Sequence, residues 1–221
     1  MIFVFFFCIV SVILWGVFIT TGYLCYIVRH SNRGHRKHLL DPKVGTVSLC
    51  CVLGSGGHTT EMLELLKHMG TQYTPRWYVV ADTDHMSKDK ALEFEKTCAN
   101  HTFHICTIPR SREVGQSFVT SVPTTLYAFI HALRLVWKAN PDLLLVNGPG
   151  SCIPVVFAAA LFDMVRLRDT VIIYEESLCR VESLSLSGSI LYFLGLTDDI
   201  VVQWKQLKEK YPRTTLISDL Q

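Results

Sequence analysis

Short apolar runs alternate along this chain with longer stretches in which apolar positions recur at helical spacing. The unit that sets the pattern is residues 46–69, TVSLCCVLGSGGHTTEMLELLKHM. Its Val/Leu/Cys-rich opening predicts a strand buried on both faces of a parallel sheet. The run breaks at Gly54-Ser55-Gly56-Gly57-His58 and resumes as a helix carrying Met62, Leu63, Leu65 and Leu66, with Thr59 or Thr60 as its N-cap. The same alternation predicts strands over residues 76–81, 102–108, 142–146, 170–174 and 200–203. Helices are predicted over residues 87–98, 116–139 and 153–165. The second of these carries Leu126, Phe129, Ile130, Leu133 and Trp137 on one face, with Pro123 starting or bending it. Strands and helices at this spacing predict an α/β domain with a doubly wound parallel sheet.

The first 43 residues stand apart from this alternation. From Ile2 to Val28 there is no charged side chain and no histidine, a run long enough to cross a bilayer as a tilted helix. Arg29, His30, Arg33, Arg36, Lys37 and Lys43 follow at once, which predicts a cytosolic domain and an N-terminus across the membrane. A cleaved signal peptide would want a basic start, a shorter apolar core and a small-residue cleavage site, and none is evident. The expected organisation is an anchor over 1–28, a basic linker over 29–43 containing Gly34 and Pro42, and one domain over 44–221. The linker's cations suit anionic headgroups as well as plain solvent.

Composition narrows the function classes. A net charge of +2, with Lys and Arg balanced by Asp and Glu, argues against nucleic acid as a partner. Cys50, Cys51, Cys98, Cys106, Cys152 and Cys179 form no CxxC pair and no metal-ligand spacing, so they read as small apolar fillers in a reducing compartment. His101 and His104 lack the further ligands that would complete a metal site.

The candidate chemistry lies at the carboxyl ends of the predicted strands, where ligands bind in open α/β sheets. Three of those ends carry signatures: GSGGH, NGPGS and YEES. Glycines permit the tight turn and close backbone approach that a phosphate needs, and a following helix start adds free N–H groups and a positive dipole end. Gly54, Ser55, Gly56, Gly57 and Thr59, with Asn147, Gly148, Gly150 and Ser151, are therefore candidate binding residues. Singly, each loop is equally well a turn or a cap that binds nothing; together they converge on one rim. Arg110 and Arg112, after the third strand, match phosphate oxygens or remain in a solvated loop with Glu113 as partner. His58, Glu175 and Glu176 are the titratable groups placed for acid–base work. His58 suits a base or a neutral donor to diphosphate, and one of the two glutamates suits hydroxyl orientation or proton removal. A dinucleotide-dependent enzyme would use Asp82 on a ribose, but Thr59 stands where the third glycine of GxGxxG belongs.

GSGGHTTEML, ADTD, IPRSREVGQS, NGPG and YEESLCRVESLSLSG, each following a successive strand, resemble one family. It is the membrane-anchored acceptor-side subunit of the N-acetylglucosaminyltransferase that makes chitobiosyl-diphospho-dolichol, the asparagine-linked glycosylation 14 family. The resemblance runs from about Val44 to Pro212, leaving the tail RTTLISDLQ outside it. The family is similar in turn to the bacterial lipid-linked GlcNAc transferase of peptidoglycan synthesis, with two Rossmann-like GT-B domains. Its histidine-led signature after the fifth strand is replaced here by Tyr174-Glu175-Glu176-Ser177. The resemblance implies a single Rossmann-like domain on the endoplasmic reticulum membrane, facing the cytosol. It also implies a separate donor-binding catalytic subunit as partner and GlcNAc-diphospho-dolichol as acceptor. No cofactor is firmly implied, and a divalent metal stays open.

Overall fold

Every strand of the sheet runs the same way, and the middle strands are apolar on both faces. The computed structural model describes residues 45–98, 102–113, 115–148 and 150–220, with isolated helical positions at 16, 20, 23 and 27. The anchor and linker expected over residues 1–43 otherwise lie outside the described residues. Among those described, no helix is long and apolar enough to cross a membrane.

In chain order the elements are β1 (Val47–Val52), α1 (Gly57–Lys67), β2 (Tyr73–Ala81), α2 (His85–Thr97), β3 (Phe103–Ile108), α3 (Phe118–Ala139) and β4 (Leu143–Asn147). They continue as α4 (Cys152–Met164), β5 (Val171–Glu175), α5 (Leu186–Leu194), β6 (Asp199–Val202), α6 (Lys205–Lys210), β7 (Thr215–Leu216) and a 3-10 turn (Ile217–Leu220). The seven strands lie in the order β3-β2-β1-β4-β5-β6-β7, all parallel. Each crossover therefore needs a helix, which explains the strict alternation in the sequence. The chain winds outward from β1 to β3, then returns through α3 to place β4 against the other side of β1. Leu49, Cys50, Cys51 and Val52 pair with Leu143, Leu144, Leu145 and Val146 across that junction.

Two cores follow from the twofold alternation of a strand. Cys50, Val52, Val79, Leu144, Val146, Ile172 and Tyr174 face α3, α4 and α5. Leu49, Cys51, Leu53, Tyr78, Val80 and Leu145 face α1 and α2. Free Cys50, Cys51 and Cys152 are fully buried in these cores, so they are fillers as the composition implies. Cys179 is exposed.

Three predictions need correction. Thr59 and Thr60 do not cap α1: the N-cap is Gly56, and buried Thr59 turns its hydroxyl inward to the Gly54 carbonyl and to Ser87 Oγ. The apolar face predicted for α3 is only partly its buried face: of its five residues, Phe129 and Leu133 pack against the core. Ala128, Ala132, Leu135, Val136 and Ala139 meet the core, while Leu126, Ile130 and Trp137 are exposed. Small residues let the helix sit close to the sheet and turn the large ones outward. Last, α5, α6 and β7 lie in segments with no predicted helix or strand. Ser185, which reads as loop, is the N-cap of α5 and accepts from Gly188 N at 3.0 Å.

Candidate functional site

The winding direction reverses between β1 and β4, so their following loops part and leave a crevice at the carboxyl rim. The GSGGH and NGPG loops sit on its two sides and touch. Asn147 Nδ2 donates to the His58 carbonyl at 2.7 Å. Gly148, at φ +38°, lies under the His58 imidazole, and a Cβ there would run into the ring. That position needs glycine twice over, for its left-handed backbone and for the close approach.

The helices that open from these loops differ from their neighbours. Asp84, Ser117 and Ser185 cap α2, α3 and α5 through side-chain oxygens. The N-caps of α1 and α4, Gly56 and Ser151, make no such bond. The first turn of α1 therefore has no side-chain partner, while in α4 the Ile153 N–H donates to the Gly150 carbonyl at 3.2 Å and Pro154 has no N–H to offer, so what α4 brings to the crevice is its positive dipole end. Thr59 and Ser87 brace the first loop from behind through the Gly54 carbonyl. In a dinucleotide fold a glycine would stand at Thr59, and here its buried side chain fills that space.

On the α3–α4–α5 side the crevice opens into a pocket of about 470 Å³. Ser111, Arg112, Gly148, Gly150, Arg180 and Ser187 contribute its polar wall. Arg112 is held by donating from Nε and Nη2 to the Gln116 carbonyl, at 3.0 and 2.8 Å. Arg110 does not line the pocket; its Nη1 donates to Glu113 Oε2 at 3.4 Å, the solvated-loop alternative for this residue. Arg180 was not singled out in the sequence, where it stands alone in a serine-rich stretch; the only signal was its place shortly after the YEES strand end.

On the α1 side a second cavity, about 260 Å³, is lined by Glu61, Glu64, His68, Glu175, Gln203 and Ile217 among others. Glu175 and Glu176, adjacent in sequence, are thus set to different tasks. Glu175 keeps Oε1 on Gln203 Nε2 at 3.1 Å while Oε2 has no partner. Burial, together with the nearby Glu61 carboxylate, raises its pKa from 4.5 to about 7. Glu176 is sealed instead. Its carboxylate accepts from Ser185 N at 2.8 Å, Ser177 N at 3.2 Å and Tyr174 Oη at 3.4 Å, fastening the β5–α5 loop. The carboxylate beside Glu175 is Glu61, which also accepts from Ser177 Oγ at 2.8 Å and lies 3.4 Å from His58 Nδ1. Three residues past His58 on the same helix, Glu61 was readable as its neighbour but not as a link to β5.

Buried polar atoms without a partner mark where something is expected to bind. Among the described residues eight such side-chain atoms lack a hydrogen bond, and Ser111 Oγ, Asn147 Oδ1 and Glu175 Oε2 lie on this rim with His58 Nδ1, which has only the Glu61 carboxylate at 3.4 Å. Among the described residues, no group of His, Cys, Asp and Glu comes together as a metal site.

Residues 49–220 match the family model described as "Oligosaccharide biosynthesis protein Alg14 like". The chain belongs to that family. It is 45% identical over 179 residues to the human "UDP-N-acetylglucosamine transferase subunit ALG14", covering 78% of this chain and 82% of that one. The protein of the same name from Yarrowia lipolytica is 44% identical over 193 residues, covering 86% and 88%. The Schizosaccharomyces pombe protein is 36% identical over 173 residues, covering 76% and 81%. Among solved structures the fold resembles Acinetobacter baumannii MurG with a TM-score of 0.56 at 16% identity. The match covers 77% of this chain but 45% of MurG, so the chain spans about half of that protein's length. The family match also corrects the boundary at Pro212. It continues through the tail, which forms β7 and the 3-10 turn and brings Ile217 to the Glu175 cavity.

Proposed function

We propose that this family member is the acceptor-binding subunit of a UDP-N-acetylglucosamine transferase in lipid-linked oligosaccharide synthesis. It would hold GlcNAc-diphospho-dolichol at the endoplasmic reticulum membrane while a separate subunit brings UDP-GlcNAc. The relatives' shared name supports the transferase. The observation that carries the acceptor reading is the paired rim: an arginine-walled pocket with the Ser111 hydroxyl left without a hydrogen bond, beside a cavity into which the buried Glu175 carboxyl brings an unpartnered Oε2.

The diphosphate is assigned to the pocket of Arg112, Arg180, Gly148 and Gly150, beside the positive end of α4. The sugar reaches across Gly148 and His58 toward Glu61 and Glu175. There the acceptor hydroxyl attacks the anomeric carbon of UDP-GlcNAc, the bond to UDP breaks, and the hydroxyl proton passes to a base. Glu175 suits that role, since a carboxyl titrating near neutrality both holds and releases a proton at working pH. A carboxylate set against diphosphate would be repelled, and Glu175 lies on the opposite face of the sheet from the arginines. His58, between the two cavities, is assigned to the bridging phosphate or the sugar.

The test is kinetic, on the complex of the full chain with its donor-binding subunit. The chain alone should transfer no sugar. In the complex, Arg112→Ala and Arg180→Ala should each raise the acceptor KM about 10-fold to 100-fold, the worth of one charge-assisted hydrogen bond. The donor KM should stay put. If both variants leave the acceptor KM unchanged in an assembled complex, the rim binds no acceptor and the chain only recruits its partner.

A further inference from the structure

The pocket assigned to the diphosphate has an apolar continuation. A groove of about 430 Å³ runs between α3 and α4, walled by Val122, Leu126 and Phe129 on one side and Ile153, Pro154 and Phe157 on the other. Ser121, Thr125 and Ile153 line both the groove and the arginine-bearing pocket, so the two are continuous. The volume lies within the ~300–1,000 Å³ of small-molecule sites.

Phe129, Ile153 and Pro154 also pack toward the core, but nothing in the packing of the domain demands Val122 and Leu126. The face that α3 turns to the sheet is built from Ala132, Leu135, Val136 and Ala139. Val122 and Leu126 are 65% and 60% exposed. They stand at i and i+4, with Phe129 at i+7, which is one stripe of the helix. An apolar stripe turned away from the core costs solubility, and its presence at the mouth of a cationic pocket asks for an apolar occupant.

We propose that the α3–α4 groove binds the hydrocarbon chain of the acceptor next to its diphosphate. This inference rests on the acceptor reading above. The ligand class follows from the join: an anionic head fits the arginine pocket, and a hydrocarbon esterified directly to it enters the groove at Ser121, Thr125 and Ile153. The groove thereby selects a lipid-linked diphosphate over a free sugar diphosphate and fixes the direction in which the tail leaves the rim.

The experiment uses the full chain assembled with its donor-binding subunit in detergent, so that membrane binding plays no part. Two acceptors are compared, GlcNAc-diphosphate esterified to phytanol and to methanol. Leu126→Asn and Phe129→Ala should each raise the phytanyl acceptor's KM about tenfold, as loss of apolar contact with the hydrocarbon requires. The methyl acceptor's KM should not move. Equal rises for both acceptors, or no rise for either, would overturn the proposal. In parallel, the same variants are measured for binding to acceptor-free vesicles and for mass at rising concentration; an effect confined to the vesicles makes the stripe a membrane face, one confined to a dimer makes it a contact between copies, and either overturns the proposal. Arg112→Ala serves as the reference, expected to raise both KM values. If it does so and the groove variants do not, only the groove assignment fails; if it raises neither, the acceptor reading fails first.

Discussion

At the scale of single residues, the rim is a place where neighbours in sequence do opposite work. Glu176 is fixed by three hydrogen bonds and holds a loop. Glu175 is held near neutrality by burial and by Glu61. A carboxyl raised in the folded state lowers stability as pH rises. Below pH 4.5 both states keep the proton; between 4.5 and about 7 the unfolded chain releases it while the folded one does not. Above pH 7 the full cost is present, ~1–2 kcal/mol after allowing for partial exposure. Glu175→Gln keeps an acceptor for Gln203 and removes the charge, so it should raise thermal stability at pH 8 and change little at pH 4.5. The same variant should lower kcat of the assembled complex about 10²-fold, the worth of a general base, with KM little changed. A stabilised, well-folded complex with intact kcat would place the base elsewhere. Gly148→Ala gives a second test, on shape alone. Its Cβ must displace the His58 ring, and its φ of +38° is strained for any other residue, so acceptor affinity should fall at least tenfold with the fold retained by circular dichroism.

At the scale of elements, strand-end chemistry was legible in the sequence and side-chain direction was not. GSGGH and NGPG could be placed at the switch point because glycine clusters after apolar runs have few other uses. That Glu61 rather than Glu176 stands beside Glu175 depends on how α1 lies over β5, which spacing within one segment does not encode. The face of α3 is only partly legible for a related reason. Periodicity finds the apolar stripe of a helix, but alanines, which allow the closest approach, decide which side meets the sheet. The β2–α2 unit holds a further case. Buried Arg76 donates to Glu95 Oε1 at 3.3 Å, and Tyr78 Oη donates to the same carboxylate. In sequence, Arg76 reads only as the polar start of a strand. Removing one charge of such a pair strands the other in the core, so Arg76→Ala and Glu95→Ala should each cost ~3–5 kcal/mol in chemical denaturation. Replacing the trio with Met, Leu and Phe at 76, 95 and 78 should recover most of that loss. If the single variants cost under ~1 kcal/mol, water reaches the pair and it is not the buried clamp its burial implies.

At the scale of the whole molecule, the sheet presents one functional edge, and everything assigned to the acceptor lies along it. The amphiphilic acceptor proposed above would bring its own geometric demand. Its headgroup would have to reach the crevice while its tail stays with the membrane, and on that reading the domain is held close to the bilayer. The uncharged run from Ile2 to Val28 and the cations from Arg29 to Lys43 supply a reason for that closeness on sequence grounds alone. The exposed apolar residues of α3 supply a second, weaker one, since scattered exposed side chains give far less apolar contact than a spanning segment. The two contributions separate cleanly. Deleting residues 1–28 should move the chain, and its partner with it, from the membrane to the soluble fraction. The truncated complex should keep its kcat on acceptor dispersed in detergent, because no rim residue is touched. On acceptor embedded in vesicles its rate should fall at least tenfold at equal enzyme concentration, since the lost anchor is a lost local concentration. A truncated chain that stays wholly membrane-bound would shift the anchoring role onto the domain's own apolar surface, and the α3 stripe, through Leu126→Asn in the truncated background, would be the first place to look for it.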